Sequence, residues 1–221
     1  LDYYNDKGVS YPRNLYAAFI STLDDRIGAL LKKLDELGIK DNTIIVFQSD
    51  NGHSTEQRAH FGGGNSGPYR GAKSSLFEGG IRVPAAINWP NKIQKGAIRN
   101  QFGVNSDWMP TLAELCGIKL DSQDLDGKSL VSIIHNEKEK NRHTEGYCWE
   151  YQDMWVARKG HWKLLGNPRD TSKKTYKLKE KRFLVNLDDD IGETKNLAKK
   201  HPNKVIELEQ QYRNWLKRNS K

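Results

Sequence analysis

Leu15, Phe19, Leu23, Ile27, Leu30, Leu34 and Leu37 recur at steps of three and four residues. That spacing puts them on one face of a helix, because side chains three and four apart lie on the same side of a 3.6-residue turn. Gly38 supplies the C-terminal stop and Lys40-Asp41-Asn42 the turn that follows. An apolar, β-branched run from Thr43 to Gln48 comes next and predicts a strand, so the pair reads as a helix packed on a largely buried sheet. A second strand is predicted in "IRVPAAINWP", Ile81 to Trp89, closed by Pro90. Between the two strands, "HFGGGNSGPYRGAKSSLFEGG" lacks apolar periodicity and reads as a long loop. Such loops in compact domains are functional or disordered. Ser106 is placed to cap a short helix, with Pro110 in its first turn and Gly117 at its end.

The pattern changes after about Gly127. "GYCWEYQDMWVARKGHWKLL" alternates aromatic and polar positions around a turn at Lys159-Gly160, as an antiparallel hairpin does. "RFLVNLDDD" adds a strand. Val205, Leu208, Tyr212, Trp215 and Leu216, with Pro202 near the start, line one face of a final helix. The chain therefore divides into an α/β portion over residues 1–130 and a smaller antiparallel sheet with a terminal helix over residues 131–221. No internal repeat is visible.

Composition agrees with a folded protein. Of the 221 residues, 36% are hydrophobic and 29% charged, which is a globular rather than a disordered balance. No apolar stretch is long enough to span a bilayer. The start, "LDYYNDKGVSYPRN", has neither an initiator Met nor a basic and apolar signal region. A formal net charge of +8 favours polyanionic partners such as sulfated glycans, or is simply a solvated surface. Much of it sits in "TSKKTYKLKEKR", Thr171 to Arg182, which reads as an exposed hairpin or loop. No nucleic-acid-binding motif and no zinc-like Cys/His spacing occurs. The two cysteines, Cys116 at a helix end and expected to be buried, and Cys148, could form one disulfide.

Candidate chemistry begins where the first strand stops, in "IIVFQSDNGHS". Asp50-Asn51-Gly52 is turn chemistry, but it also sets two hard oxygen donors at the carboxyl end of a strand, where α/β proteins place their sites. A carboxylate and an amide carbonyl suit Ca²⁺ or Mg²⁺. The following loop holds a single lysine, Lys73, between glycine-rich flanks. A metal and a lysine could converge on one anion. Two ligands do not make a site, so further carboxylates must come from elsewhere. His53 could line a substrate entrance or be an ordinary loop histidine.

Several stretches, in order, resemble the sulfatases of the alkaline phosphatase superfamily, in their arylsulfatase-like group. They are "LDDRIGALLKKLDELGIKDNTIIVFQSDNG", "RGAKSSLFEGGIRVPAAINWP", "VARKGHWKLL" and "LVNLDDDIGETKNLAKKHP". The resemblance covers nearly the whole chain. It implies part of an α/β sandwich followed by a small antiparallel α+β subdomain. It also implies Asp50 and Asn51 as calcium ligands, and Lys73 as the lysine contacting the sulfate group and the nucleophile. Glu78, Gly79, Gly80 and Arg82 match a recurring motif with a structural role, and His53 is a candidate for the substrate entrance. The expected substrates are carbohydrate or aryl sulfates, the expected cofactor Ca²⁺, and the expected compartment periplasmic, secreted or lysosomal.

The departures are as informative. The family's Cys- or Ser-x-Pro-x-Arg signature, whose first residue becomes formylglycine, has no match. In "SYPRN", Ser10 to Asn14, the Arg comes one position early. The first pair of metal-binding aspartates, the pocket histidines and a second lysine are also unmatched. The chain thus resembles the carboxyl-terminal part of a sulfatase, whose own amino-terminal part would be a partner. A phosphodiesterase or phosphonate hydrolase of the same superfamily, or a non-catalytic binder of sulfated polymers, are the alternatives.

Overall fold

A computed structural model gives the fold and describes residues 1–60, 62–120, 125–173 and 178–219. In chain order the elements are α1 (Asp2–Asp6), α2 (Arg13–Glu36), β1 (Ile45–Gln48), α3 (Glu78–Ile81), β2 (Ala85–Asn88), α4 (Trp108–Leu115), α5 (Val131–His135), β3 (Tyr147–Tyr151), β4 (Met154–Lys159), β5 (Trp162–Gly166), β6 (Arg182–Asn186) and α6 (Pro202–Asn219). They fall into two compact units. One comprises Leu1–Lys40, Val46–Ala86 and Tyr147–Lys221, the other Asp41–Ile45 and Ile87–Gly146.

In the first unit, β3 to β6 form a four-stranded antiparallel sheet in sequence order. Its register separates two faces. Val156 lies opposite Leu165 and Leu165 opposite Phe183, while Ala157 lies opposite Leu164 and Leu164 opposite Leu184. The first set packs with Leu76 and Phe77, just ahead of α3. The second set packs with Leu208, Val205, Tyr212 and Trp215 of α6, and Trp155 stacks on Tyr212 at 4.2 Å between ring centroids. Both faces are therefore covered, which explains why β4 and β5 are buried along most of their length instead of alternating. The hairpin turn at Lys159-Gly160, the β6 strand and the apolar face of the last helix all appear where the sequence places them.

The first strands are shorter than expected. Thr43 lies outside β1, and Ile81 closes α3, so β2 begins only at Ala85. α2 forms over the predicted span, yet none of its residues is buried, and Phe47 of β1 is half exposed. Apolar periodicity identifies which helix face seeks cover but not what covers it, and the expectation of a helix on a largely buried sheet is corrected accordingly. β1 and β2 pair as a two-stranded sheet.

In the second unit Asp107, not Ser106, stands at the N-cap of α4, and its side chain closes the short turn ahead of the helix without capping the helix itself. The Asp107 carboxylate accepts N–H bonds from Val104 and Lys128, each 2.8 Å, and its oxygens lie 2.9 and 3.0 Å from Nε2 of buried His143. Ser106 lies inside the 3-10 turn Asn105–Asp107 that leads into α4, one residue ahead of the N-cap position. Pro110 sits in the first turn, and Gly117 ends the helix at φ +69°. Of the basic stretch Thr171 to Arg182, residues 174–177 lie outside the described residues, and Lys173 and Lys179 to Lys181 are exposed.

Both cysteines are free thiols. Cys116 is exposed, contrary to expectation, because it stands at the C-cap, past the last turn that buries Thr111 and Ala113. Cys148 is buried, and burial pushes its thiol up to about 11. The thiolate is the reactive form. One thiol per chain is therefore expected to react with Ellman's reagent at pH 8, and the second only on unfolding. Equal reactivity of both in the native protein would contradict the burial of Cys148.

Candidate active site

Asp50 and Asn51 follow the end of β1 by one residue. The Ser49 N–H donates to the Pro84 carbonyl at 3.3 Å, and the Ser49 hydroxyl donates to the Asn51 carbonyl at 2.9 Å, fixing the bend. Asp50 Oδ1 accepts from the Asn51 backbone N–H at 2.9 Å and from its Nδ2 at 3.1 Å, and the same Nδ2 donates to the Gly52 carbonyl. These bonds leave Asp50 Oδ2 and Asn51 Oδ1 without a partner among the described residues.

The next residues rest on a glycine shelf. The Gly52 N–H donates to the Gly80 carbonyl at 2.9 Å, and a Cβ on Gly52 would lie 1.9 Å from the Gly79 carbonyl oxygen. A Cβ on Gly80 would lie 2.2 Å from the Ser75 carbonyl and 2.5 Å from that of Ala72. Only hydrogen fits between these backbones. The shelf therefore touches both the Asp50 segment and the Lys73 segment. The Lys73 N–H closes the arrangement by donating to the His53 carbonyl at 2.9 Å. Ser74, directly after Lys73, takes a left-handed backbone at φ +69°, a conformation that non-glycine residues adopt at a cost.

His53 is half-buried, and its Nδ1 is buried without a hydrogen-bond partner among the described residues. Burial, with the Arg13 charge in support, holds its pKa below the ordinary histidine value, so the neutral ring prevails at pH 7. A loop from the antiparallel part adds support. The Thr171 hydroxyl donates to the Ala72 carbonyl at 3.0 Å, and the Ser75 hydroxyl to the Arg169 carbonyl at 2.6 Å.

Beneath the shelf lies a buried charge cluster. Glu78 is 1% exposed, Lys163 and Glu193 0%. Lys163 Nζ donates to Glu78 Oε1 at 2.8 Å and lies 2.9 Å from Glu193 Oε1, close for an ion pair though outside the direction of a hydrogen bond. Glu193 Oε2 accepts the Glu78 backbone N–H at 2.6 Å. Arg82 and Arg158 approach Glu78 Oε2 at 3.6 and 3.8 Å. Burial pushes Glu78 upward, but Lys163 and the two arginines outweigh it and hold the carboxyl below its usual range. For Glu193 burial prevails, the Glu78 charge adds to it, and Lys163 offsets only part, so its pKa is raised.

Sequence reasoning assigned Glu78 to the loop but missed Lys163, Glu193 and Arg158. A signal was available. Lys163 shares strand parity with Leu165, so a buried Leu165 face carries a lysine inward, and such a lysine needs a carboxylate.

Among the described residues, no three of His, Cys, Asp or Glu are gathered so as to hold a metal ion. Asp50 and Asn51 still fit part of a hard-cation shell, since each retains an oxygen free of protein partners.

Comparison with known proteins identifies the class. Residues 2–118 match the family described as sulfatase, and residues 70–220 the one described as N-sulphoglucosamine sulphohydrolase, C-terminal. The chain belongs to the sulfatase family. It is 31% identical to a sulfatase of Formosa agariphila over 93% of its own length and 40% of that protein's. It is 30% identical to arylsulfatase A of Bos taurus, covering 86% of this chain and 41% of the relative. The chain thus spans about two fifths of the length of the curated relatives it matches. The crystal structure of Ps i-CgsB in complex with k-i-k-neocarrahexaose superposes with a TM-score of 0.77 at 27% identity, covering 93% of this chain and 43% of that one. The phosphonate monoester hydrolase of Agrobacterium radiobacter shares the fold at a TM-score of 0.62 and 21% identity, covering 90% of this chain and 41% of that one. No helix among the described residues is long and apolar enough to cross a membrane.

Proposed function

We propose that this chain supplies one wall of the active site of an enzyme that hydrolyses sulfate esters of carbohydrates or aryl compounds. The observation that carries the reading is the single glycine shelf. It sets the Asp50-Asn51 bend and the Lys73 loop against the same few backbone atoms, in a chain of the sulfatase family.

In this reading Asp50 Oδ2 and Asn51 Oδ1 are ligands of Ca²⁺, which when bound would neutralise charge on the sulfate oxygens. Lys73 donates to a sulfate oxygen and holds the ester in line for attack. An ammonium there stabilises charge more as the S–O bond breaks than in the ground state. Neutral, half-buried His53 lines the substrate entrance. The nucleophile, a formylglycine by family resemblance, and the remaining metal ligands come from a segment that is not among these residues. A periplasmic, secreted or lysosomal setting goes with this chemistry.

A phosphodiester or phosphonate reading is favoured by the fold shared with the phosphonate monoester hydrolase, because oxygen ligands and a lysine serve phosphorus as well as sulfur. The two separate by assay. The 221-residue chain alone is expected to show little or no turnover of 4-nitrophenyl sulfate and only weak Ca²⁺ binding by calorimetry, since two side chains leave most of a six- to eight-oxygen shell to water. Supplied with a sulfatase amino-terminal segment, it should bind Ca²⁺ far more tightly, lose that gain in Asp50→Ala, and turn over the sulfate faster than phenyl phosphonate. Ca²⁺ affinity unchanged by the added segment and insensitive to Asp50→Ala would leave Asp50-Asn51-Gly52 a plain turn. Faster phosphonate turnover would transfer the reading to phosphorus.

A further inference from the structure

We infer that Glu193, together with Lys163, is a positioning residue for the candidate site: by gripping the start of α3 it sets the Gly79–Gly80 shelf on which the Asp50-Asn51 bend and the Lys73 loop rest. The role in catalysis rests on the sulfate-ester reading. The mechanical coupling does not.

The chain of contacts is short. Glu193 Oε2 accepts the N–H of Glu78, the first residue of α3, at 2.6 Å. Lys163, the second residue of β5, reaches both Glu78 and Glu193 from the sheet. The Arg70 guanidinium donates to the Glu193 carbonyl and to Asp170, each at 2.8 Å, and lies over the Phe77 ring at 4.2 Å from its centroid. The Arg70 carbonyl in turn accepts the Gly79 N–H at 2.6 Å. Glu193 therefore holds two successive N–H groups at the start of the shelf, that of Glu78 directly and that of Gly79 through Arg70. One residue beyond Gly79, the Gly80 carbonyl receives the Gly52 N–H. Beyond the Glu193 carboxylate, the direct path to the candidate ligands runs from the Glu78 N–H along the α3 backbone to the Gly80 carbonyl and the Gly52 N–H, between glycines packed too closely to admit a Cβ.

The geometry also explains an otherwise costly arrangement. Two carboxylates around one fully buried lysine are less favourable than an apolar cluster of equal volume would be. An apolar residue at position 193 could not accept the Glu78 N–H. Glu193 itself stands at φ +50°, a strained backbone that its carbonyl and carboxylate contacts hold in place.

The test is amide hydrogen exchange on the 221-residue chain, following Gly52 and Lys73 as reporters of the site and Val156 and Leu165 as reporters of the sheet. Glu193→Ala should speed exchange at Gly52 and Lys73 at least tenfold more than at Val156 and Leu165. Glu193→Gln, which keeps an acceptor for the Glu78 N–H, should restore protection at Gly52. If Glu193→Ala does not fold, Glu193→Leu fills the volume without the acceptor and should show the same selectivity. Equal loss of protection at site and sheet, or Glu193→Gln behaving like Glu193→Ala, would reduce Glu193 to a general stabiliser and overturn the inference. A positive result with no sulfate hydrolysis in any form of the protein would leave the coupling intact and sink only the enzymatic reading.

Discussion

Lys163→Met is expected to destabilise the folded chain by about 3–5 kcal/mol, the usual consequence of removing one partner from a buried ionic cluster. Methionine matches the length of the lysine stem, so the loss is of charge, not of volume. Without the ammonium, Glu78 and Glu193 face each other in a buried site, and among the described residues Arg82 and Arg158 approach Glu78 at 3.6 and 3.8 Å. Both carboxyls then have folded pKa values above their unfolded ones. A raised carboxyl pKa contributes stability below the unfolded value and loses it as pH rises through the folded value. The deficit of Lys163→Met should accordingly be largest at pH 7 to 8 and shrink as pH falls toward and below the ordinary glutamate value, where both groups become protonated in either state. Urea denaturation at several pH values measures it. A deficit independent of pH would mean that Lys163 stabilises by packing alone.

Lys163 also shows what sequence can and cannot disclose. The antiparallel strands and the last helix were legible because their cores are local: Leu164 meets Leu184 across neighbouring strands, and Leu208 covers them from a helix of regular period. α2 was legible as a helix for the same reason, whereas its cover was not, since periodicity carries no information about a partner. Asp50, Asn51 and Lys73 stood out by residue type at a strand end and in a glycine-rich loop. The shelf beneath them did not. It depends on carbonyl oxygens of Gly79, Ala72 and Ser75 meeting glycines, and backbone atoms have no signature in the sequence beyond the glycines themselves. Glu193 was hidden further, because 115 positions separate it from the Glu78 N–H that it accepts. Ser106 misled for a related reason: a hydroxyl near a helix start looks like a cap, but a 3-10 turn moves the N-cap position one residue on to Asp107.

Lys73→Ala is expected to lower kcat/KM for 4-nitrophenyl sulfate about 10²- to 10³-fold in any form of the protein that turns the ester over, the loss typical of removing one preorganised donor from developing negative charge. The physical case is positional. The Lys73 backbone is fixed by its N–H bond to the His53 carbonyl and by the tight turn at Ser74, so the side chain projects from an anchored point, not a wandering loop. Truncation beyond Cβ leaves both backbone restraints in place, and the fold should survive with little change in melting temperature. Lys73→Arg should recover only part of the activity, because a planar fork replaces a compact point charge at a site built around one. Calcium affinity discriminates Lys73 from the metal ligands: Lys73→Ala should leave it unchanged or slightly raised, since a nearby cation is removed, whereas Asp50→Ala should lower affinity and turnover together. If Lys73→Ala retained full turnover while Asp50→Ala abolished it, the sulfate oxygens would be held by the metal and by residues outside this chain, and the Lys73 loop would be scaffold.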